Sequence, residues 1–277
     1  MNDQEYILLK NKILKLTRLD IDSYKQQQMR RRLDAYVLKQ NTPSVAAFCE
    51  ILERNPEKQR EILDYMAINV SEFFRDIIHF NNLKKTILPS LMQNSRRLNI
   101  WSAACSSGQE PFTLAIILDE LSPHIQHRIV ATDIDESALK QARNGGPYTA
   151  YDVRNVEKSL LEKYFITDES NFFVKENIRN KIVFKHHNLL CDPFENNYDL
   201  IICRNVIIYF SEIVRDILYT KFWRALKNTG VLFLGGSEVV LKPAQQGYRM
   251  LSPSFYKKAE TNNTAVNPGQ EVYEVKR

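Results

Sequence analysis

Apolar positions along the 277-residue chain follow two rhythms. Up to about residue 85 they recur three and four apart, the mark of amphipathic helices. Ile7, Leu8, Ile13, Leu14 and Leu16 predict an opening helix. Met29, Leu33, Tyr36 and Val37 make the core stripe of the next, with Asp22 or Ser23 as its cap. Pro43 and Pro56 each break and restart the pattern, giving one helix over Val45 to Arg54 and another carrying Ile62, Leu63 and Met66. A further helix runs from Phe80 to Leu91. From residue 98 the rhythm changes to short apolar runs separated by helical stretches. The runs begin at Leu98, cover RIVAT (128–132), KIVFK (181–185), Tyr198–Cys203 and Val231–Leu234, and end in an edge strand at Phe255–Lys258. Helices are expected over Pro111–Leu121, Glu136–Arg143 and from a cap at Ser211 to Leu226.

Strands alternating with helices predict an α/β domain with a doubly wound, Rossmann-like sheet. The chain therefore divides into an N-terminal all-α bundle over 1–80, a linker helix over 81–97 and an α/β domain over 98–259. Within the last, residues 148–180 are polar and less regular, and form a small inserted subdomain with a helix near 156–164 and a strand at 171–175. Residues 260–277 are polar and expected to be a flexible tail.

Composition narrows the function. Hydrophobic residues make up 44% of the chain, enough for a real core. No signal-peptide layout and no run near the ~18 apolar residues of a membrane span is found, so a cytoplasmic protein without membrane insertion is expected. Cys49, Cys105, Cys191 and Cys203 are far apart and form no CxxC pair, and the five histidines lack ligand spacing; no metal is expected. The net charge of +5 permits an acidic partner and does not call for nucleic acid.

Candidate chemistry gathers where strands end. LNIWSAACSSGQE (98–110) closes an apolar strand with small residues, turns on Gly108, presents Glu110 and enters a helix at Pro111. Ala103 and its small neighbours let a ligand approach the backbone; the other reading is a plain tight turn. Dinucleotide glycines and a phosphate-loop Lys are both missing. Glu110 would repel a pyrophosphate, so the loop suits a cationic ligand. Asp133, at the second strand tip, can accept two hydrogen bonds from a vicinal diol, while Asp135 or Ser137 caps the helix behind it. Asn188 can read an adenine edge, with Leu189 flanking the ring, and Asn205 follows the next strand. Phe73 and Phe74 divide between core and pocket wall, and Ser71 is a cap candidate. Arg75 either meets a planar or carboxylate ligand or pairs with Glu72 or Asp76. Tyr209 is either core or a pocket phenol. Arg30, Arg31 and Arg32, with Lys25 and Lys39, form a basic helix that is either a solvated face or a docking face for an acidic partner.

Acids at the first two strand tips and Asn at the next two give a seven-stranded methyltransferase layout rather than a dehydrogenase one. NVSEFFRD (69–76), IWSAACSSGQEP (100–111), ATDIDESAL (131–139), HNLL (187–190), and CRNVIIYF (203–210) with LFLGGSE (232–238) together resemble the chemotaxis receptor methyltransferases, the CheR family. The resemblance implies a class I S-adenosylmethionine-dependent methyltransferase, with S-adenosylhomocysteine as product. Its reaction would be methylation of glutamate side chains on the cytoplasmic helical domains of chemoreceptors, giving methyl esters: a protein-glutamate O-methyltransferase serving signal transduction in chemotaxis. Carried over by motif, Asp133 binds the ribose, Glu110 the methionine amino end, and Asn188 and Leu189 the adenine. Asn205 and Val206 line the cofactor, Asn69, Ser71 and Arg75 reach in, and Arg75 and Tyr209 stand near the transferring methyl. Lys25, Arg30, Arg31, Arg32 and Lys39 become docking charges. Ser107 and Gln109 depart from the family's usual Thr and Glu. The 167–171 segment is short and lacks a glycine-rich loop, so tethering of a receptor C-terminal peptide is not expected. Two rivals remain at this point: a methyltransferase for a small molecule or RNA, and a non-catalytic cofactor-binding scaffold.

Overall fold

A computed structural model describes residues 1–67 and 69–259. The 260–277 tail lies outside the described residues. The rest forms two compact units, Met1–Val70 with Tyr209–Arg215, and Ser71–Ile208 with the chain from Asp216.

In the first unit, α1 (Asp3–Thr17), α2 (Gln26–Lys39), α3 (Val45–Arg54) and α4 (Pro56–Met66) bury Leu9, Ile13, Leu33, Phe48, Leu52 and Ile62. Their starts follow local chemistry. Asn2 and Glu5 form a reciprocal capping box on α1, Ser44 accepts from the Ala47 N–H at α3, and Asn55 accepts from Glu57 and Lys58 ahead of Pro56. The expected cap of α2 is not used. Asp20 instead caps a short 3-10 turn (Ile21–Ser23), and α2 starts after Lys25 without a side-chain cap. The 209–215 segment is tied in by backbone: Lys25 N–H donates to the Tyr209 carbonyl at 2.9 Å and Ser211 N–H to that of Ser23 at 3.0 Å.

The second unit starts earlier than the expected boundary at residue 80. Phe73, Phe74, Phe80, Leu83, Ile87, Leu88 and Leu91 are buried in the same cluster as Leu98, Ile100, Phe112 and Phe233, so the presumed linker is part of this core. Ser71 caps no helix. Residues 73–76 form a turn with Phe74 and Asp76 in the left-handed region, leading into α5 (Ile77–Asn82), a π-helical turn (Leu83–Ile87) and α6 (Leu88–Asn94).

The main sheet contains β1 (Asn99–Ala103), β2 (Arg128–Asp133), β5 (Ile182–His186), β6 (Tyr198–Cys203), β7 (Leu226–Leu234), β8 (Tyr248–Ser252) and β9 (Phe255–Lys258). Its order is β5-β2-β1-β6-β7-β9-β8, parallel from β5 to β7 and antiparallel beyond. The chain moves outward from β1 to β2 and β5, then returns to β6 on the other side of β1. That reversal opens a crevice beyond the carboxyl ends of β1 and β6. The helices α7 (Gln109–Leu121), α8 (Glu136–Asn144) and α11 (Glu212–Ala225) alternate with these strands. β1 and β6 are buried along nearly their whole length because parallel strands are covered on both faces.

Two readings of the C-terminal strands change. Phe255–Lys258 is not an edge: β8, which the sequence reading missed, pairs outside it. The Asn228-Thr229-Gly230 turn lies inside β7. There the ladder shifts register, from Tyr198 opposite Leu226 to Leu200 opposite Val231, so the turn residues form a bulge. The inserted region holds α9 (Lys158–Tyr164), α10 (Glu176–Arg179) and an antiparallel pair, β3 (Phe165–Asp168) with β4 (Asn171–Val174); α9 and β4 match the expected helix and strand, and β3 and α10 are additional. Among the described residues no helix is long and apolar enough to cross a membrane.

Candidate active site

At the sheet's carboxyl edge, the turn after β1 is shaped by Ala104, Ser106 and Gly108, all with positive φ. Gly108 is required by packing as well: a Cβ there would meet that of Ala142 at 2.9 Å. Ala103 is buried at the end of β1. The turn delivers Glu110 into the first turn of α7. Its Oε1 accepts from the Ser102 hydroxyl at 2.8 Å and its Oε2 faces Arg204 Nη1 at 3.3 Å. Desolvation pushes the Glu110 pKa up, with Arg204 and Ser102 pulling the other way. Ser107 and Gln109, the two departures from the family pattern, are bonded to each other at 3.0 Å, and Gln109 donates to Asp152 at 3.4 Å.

Asp133 ends β2. Its carboxylate accepts the Ser106 N–H at 2.7 Å and the Asp135 N–H at 2.9 Å, one on each oxygen. Burial raises its pKa while these backbone bonds lower it. Asp135 caps α8 by accepting from the Ala138 N–H at 2.9 Å. A carboxylate has about four acceptor positions; the Ile134 N–H also bears on Asp133, and these backbone bonds do not exhaust it. After β5, Asn188 is buried and its amide oxygen accepts the Leu190 N–H at 2.9 Å. The carbonyl end of that amide is thus committed to the local turn. Leu189 is buried beside it.

One residue that sequence reasoning missed is Arg204. It follows β6 directly and is buried between the rings of Phe80 and Phe233, at 5.0 and 4.9 Å from their centroids. Besides Glu110 it donates to Asp76 at 2.7 Å and to the Arg75 carbonyl at 3.0 Å. One guanidinium therefore ties the loop after β6 to the loop after β1 and to the 73–76 turn. Its Nε is buried without a hydrogen-bond partner. The signal was a lone Arg between Cys203 and Asn205, directly after an apolar strand.

Other expected site residues sit as follows. Asn205 has φ +61° and its N–H donates to Glu238. Val206, Ser71 and Arg75 are half-buried, and the Arg75 carbonyl is the Arg204 acceptor. Both Phe73 and Phe74 belong to the core. The first packs edge-on to Tyr148 at 4.9 Å and the second against Phe80 at 6.2 Å, so neither is left over as a pocket wall. Asn69, exposed, and Tyr209, half-buried, belong to the first unit.

Also in the first unit, the five basic residues separate. Arg30 pairs with Asp3 at 2.7 Å and lies over the Tyr6 ring. Arg32 donates to the Tyr65 carbonyl and lies over the Tyr65 ring. Lys25, Arg31 and Lys39 are exposed.

Comparison with known proteins decides the family. Residues 69–255 match the family described as "CheR methyltransferase, SAM binding domain", and residues 4–67 match "CheR methyltransferase, all-alpha domain". The chain belongs to the CheR methyltransferase family. A chemotaxis protein methyltransferase of Listeria monocytogenes is 34% identical over 255 residues, 92% of this chain and 97% of that one. One from Borreliella burgdorferi is 39% identical over 210 residues, 72% and 73% of the two chains. Chemotaxis protein methyltransferase 1 of Pseudomonas aeruginosa is 37% identical over 235 residues, 79% and 84%.

As a CheR methyltransferase, the protein uses S-adenosylmethionine, and the strand-tip residues fit that group. Its amino group and sulfonium are cationic, and Glu110 and Asp133 bring carboxylates to the crevice. Its carboxylate is complementary to the Arg204 guanidinium, whose Nε is unpartnered. Its ribose diol suits the acceptor positions left on Asp133.

Proposed function

We propose that this CheR methyltransferase esterifies glutamate side chains on the cytoplasmic helical domains of chemoreceptors. The observation that supports this reading most is the division of charge. Asp133 is buried and Glu110 largely withdrawn from solvent at the strand tips, where they suit a cationic donor. Lys25, Arg31 and Lys39 are exposed along and beside α2, where they suit a glutamate-rich helix.

When bound, S-adenosylmethionine supplies a methyl group activated by the sulfonium. An acceptor glutamate has a pKa of about 4.3 and is ionised near neutrality. Transfer of that methyl to a glutamate oxygen would leave S-adenosylhomocysteine, with the carbon–sulfur electron pair going to sulfur. No proton has to be removed, so the chain needs no general base. Its residues contribute alignment and exclusion of water. In the proposal Glu110 holds the amino end of the donor, Asp133 the ribose, and Asn188, Leu189, Asn205 and Val206 the adenine side. Ser71 and Ala103 border the donor, and Asn69 is carried forward with them. Arg75 orients a carboxylate, either the acceptor's or the donor's own. Tyr209 positions the methyl, and Tyr209→Phe reads that role separately.

The test is mass spectrometry of purified receptor cytoplasmic fragments incubated with enzyme and S-adenosylmethionine, with RNA and free glutamate as parallel substrates. The expected result is the mass of one CH2 added at glutamate residues of the fragment alone. Modification of RNA or free glutamate in its place would overturn the reading.

A further inference from the structure

Glu238 lies four residues beyond β7, has a relative exposure of 4%, and touches none of the groups discussed so far except Asn205. Four backbone N–H groups converge on its carboxylate. Oε2 accepts from Asn205 at 2.9 Å and from Gly235 at 2.7 Å. Oε1 accepts from Ile207 at 2.8 Å and from Ile208 at 3.3 Å. Three of the four donors belong to the loop that follows β6.

That loop does not hold its shape by propensity. Asn205 has φ +61°, in the left-handed region that non-glycine residues rarely adopt. The segment 204–206 is neither helix nor strand, and Ile207 and Ile208 open a 3-10 turn (Ile207–Tyr209), so the N–H groups of Asn205, Ile207 and Ile208 have no ladder or preceding turn to join. A buried N–H without an acceptor is strongly disfavoured. Glu238 is the acceptor for this segment, and it fixes three successive or near-successive N–H groups at once. The neighbouring glycine shows how closely the carboxylate fits: a Cβ on Gly235 would lie 2.7 Å from Glu238 Oε2 and 3.0 Å from Asn205 Nδ2.

We infer that Glu238 is a positioning residue for S-adenosylmethionine binding, acting through the backbone of the 205–208 loop. The inference rests on the proposed placement of Asn205 and Val206 beside the cofactor. Its chemistry is specific to a carboxylate. Glutamine has the same shape but one acceptor oxygen, and its NH2 would face two N–H donors. Glu238→Gln therefore frees the loop without leaving a cavity.

The experiment measures S-adenosylhomocysteine binding by calorimetry, together with KM and kcat for S-adenosylmethionine and a thermal melt. Wild type is expected to bind. Glu238→Gln should raise both Kd and KM by about tenfold or more, with kcat at saturating cofactor within about threefold. A residue that served only stability would lower the folded fraction and the apparent kcat, and would leave KM where it was. Gly235→Ala displaces the carboxylate while keeping its charge. It should reproduce the KM rise, and the double variant should be little worse than either single one. It also replaces Glu238→Gln in the comparison should that variant melt below the assay temperature. Wild-type binding with unchanged Kd and KM in the folded variant would overturn the role of Glu238. Failure of the wild type itself to bind would overturn the cofactor-site reading, and this inference with it.

Discussion

Along α2, and at the carboxyl edge of the β5-β2-β1-β6-β7 sheet, the same kinds of charged side chain meet different surroundings. Lys25, Arg31 and Lys39 are exposed, Lys39 with its ammonium 5.5 Å from the Tyr65 ring centroid. Glu110, Asp133, Arg204 and Glu238 are withdrawn from it, and each is held by specific partners. Water screens the first set and leaves its geometry loose. The second set is fixed by backbone and ion-pair geometry, so its charges act at defined points. The lesson concerns what each region is for. Loose, exposed charge suits recognition of a varied acidic surface; fixed, buried charge suits one small ligand in one pose.

The comparison breaks most visibly at Arg204. Removing one partner of a buried ion pair leaves an uncompensated charge and typically costs about 3–5 kcal/mol. Arg204→Ala strands Glu110 and releases the 73–76 turn, so denaturant unfolding should show a loss of that order, together with lost S-adenosylhomocysteine binding. A loss below about 1 kcal/mol would place Arg204 with the surface charges.

Arg75→Ala should leave the melt close to wild type and lower methyl transfer by about a hundredfold or more, as for an electrostatic group lost from a reacting centre. Near-normal turnover would remove Arg75 from the site.

Next in size is the pH dependence at Glu110. Desolvation raises its folded pKa above the ordinary carboxylate value. Folded protein then binds the Glu110 proton more tightly than unfolded protein does. Stability from this group is fully present below the unfolded value of about 4.3 and declines as pH rises through the folded one. Glu110→Gln should flatten that part of a Tm-versus-pH curve measured without cofactor. The same raised pKa means that cofactor affinity falls earlier on acidification than an exposed glutamate would dictate. The affinity of Glu110→Gln should be weaker by about tenfold and insensitive to pH in that window. A parallel pH dependence in both proteins would contradict the assignment.

The smallest effects belong to α2. Arg31→Glu should reduce methylation of receptor fragments several-fold at low salt, and the difference should fade as ionic strength rises and screening shortens. Arg30→Ala breaks the pair with Asp3 and the Tyr6 contact. Its signature is a stability change of about 1 kcal/mol or less, with docking little altered.

What the sequence made legible follows the same division. Glu110 and Asp133 could be placed because Asp133 closes its strand and Glu110 follows its own by one short turn, and strand ends are marked by composition. Arg31 and Lys39 could be placed because helical spacing sets their direction, whereas Lys25 precedes the helix. Arg204 escaped because its meaning comes from partners 94 and 128 residues away in the chain. Glu238 escaped because its partners are backbone N–H groups, which no residue code announces. The same limit explains the strands: β8 is mostly exposed and outermost, and the β7 bulge carries turn residues inside a ladder. Both are settled by pairing rather than by local pattern.

The most direct test of the central claim uses methyl-labelled S-adenosylmethionine with purified receptor cytoplasmic fragments. The label is transferred, the protein is precipitated and the pellet is treated with mild base. Esterified glutamate releases the label as methanol, whereas methyl groups on nitrogen stay bound. The account predicts base-labile label on the fragment, abolished by Arg75→Ala. Base-stable label, or cofactor binding with no transfer to the fragment, would contradict it.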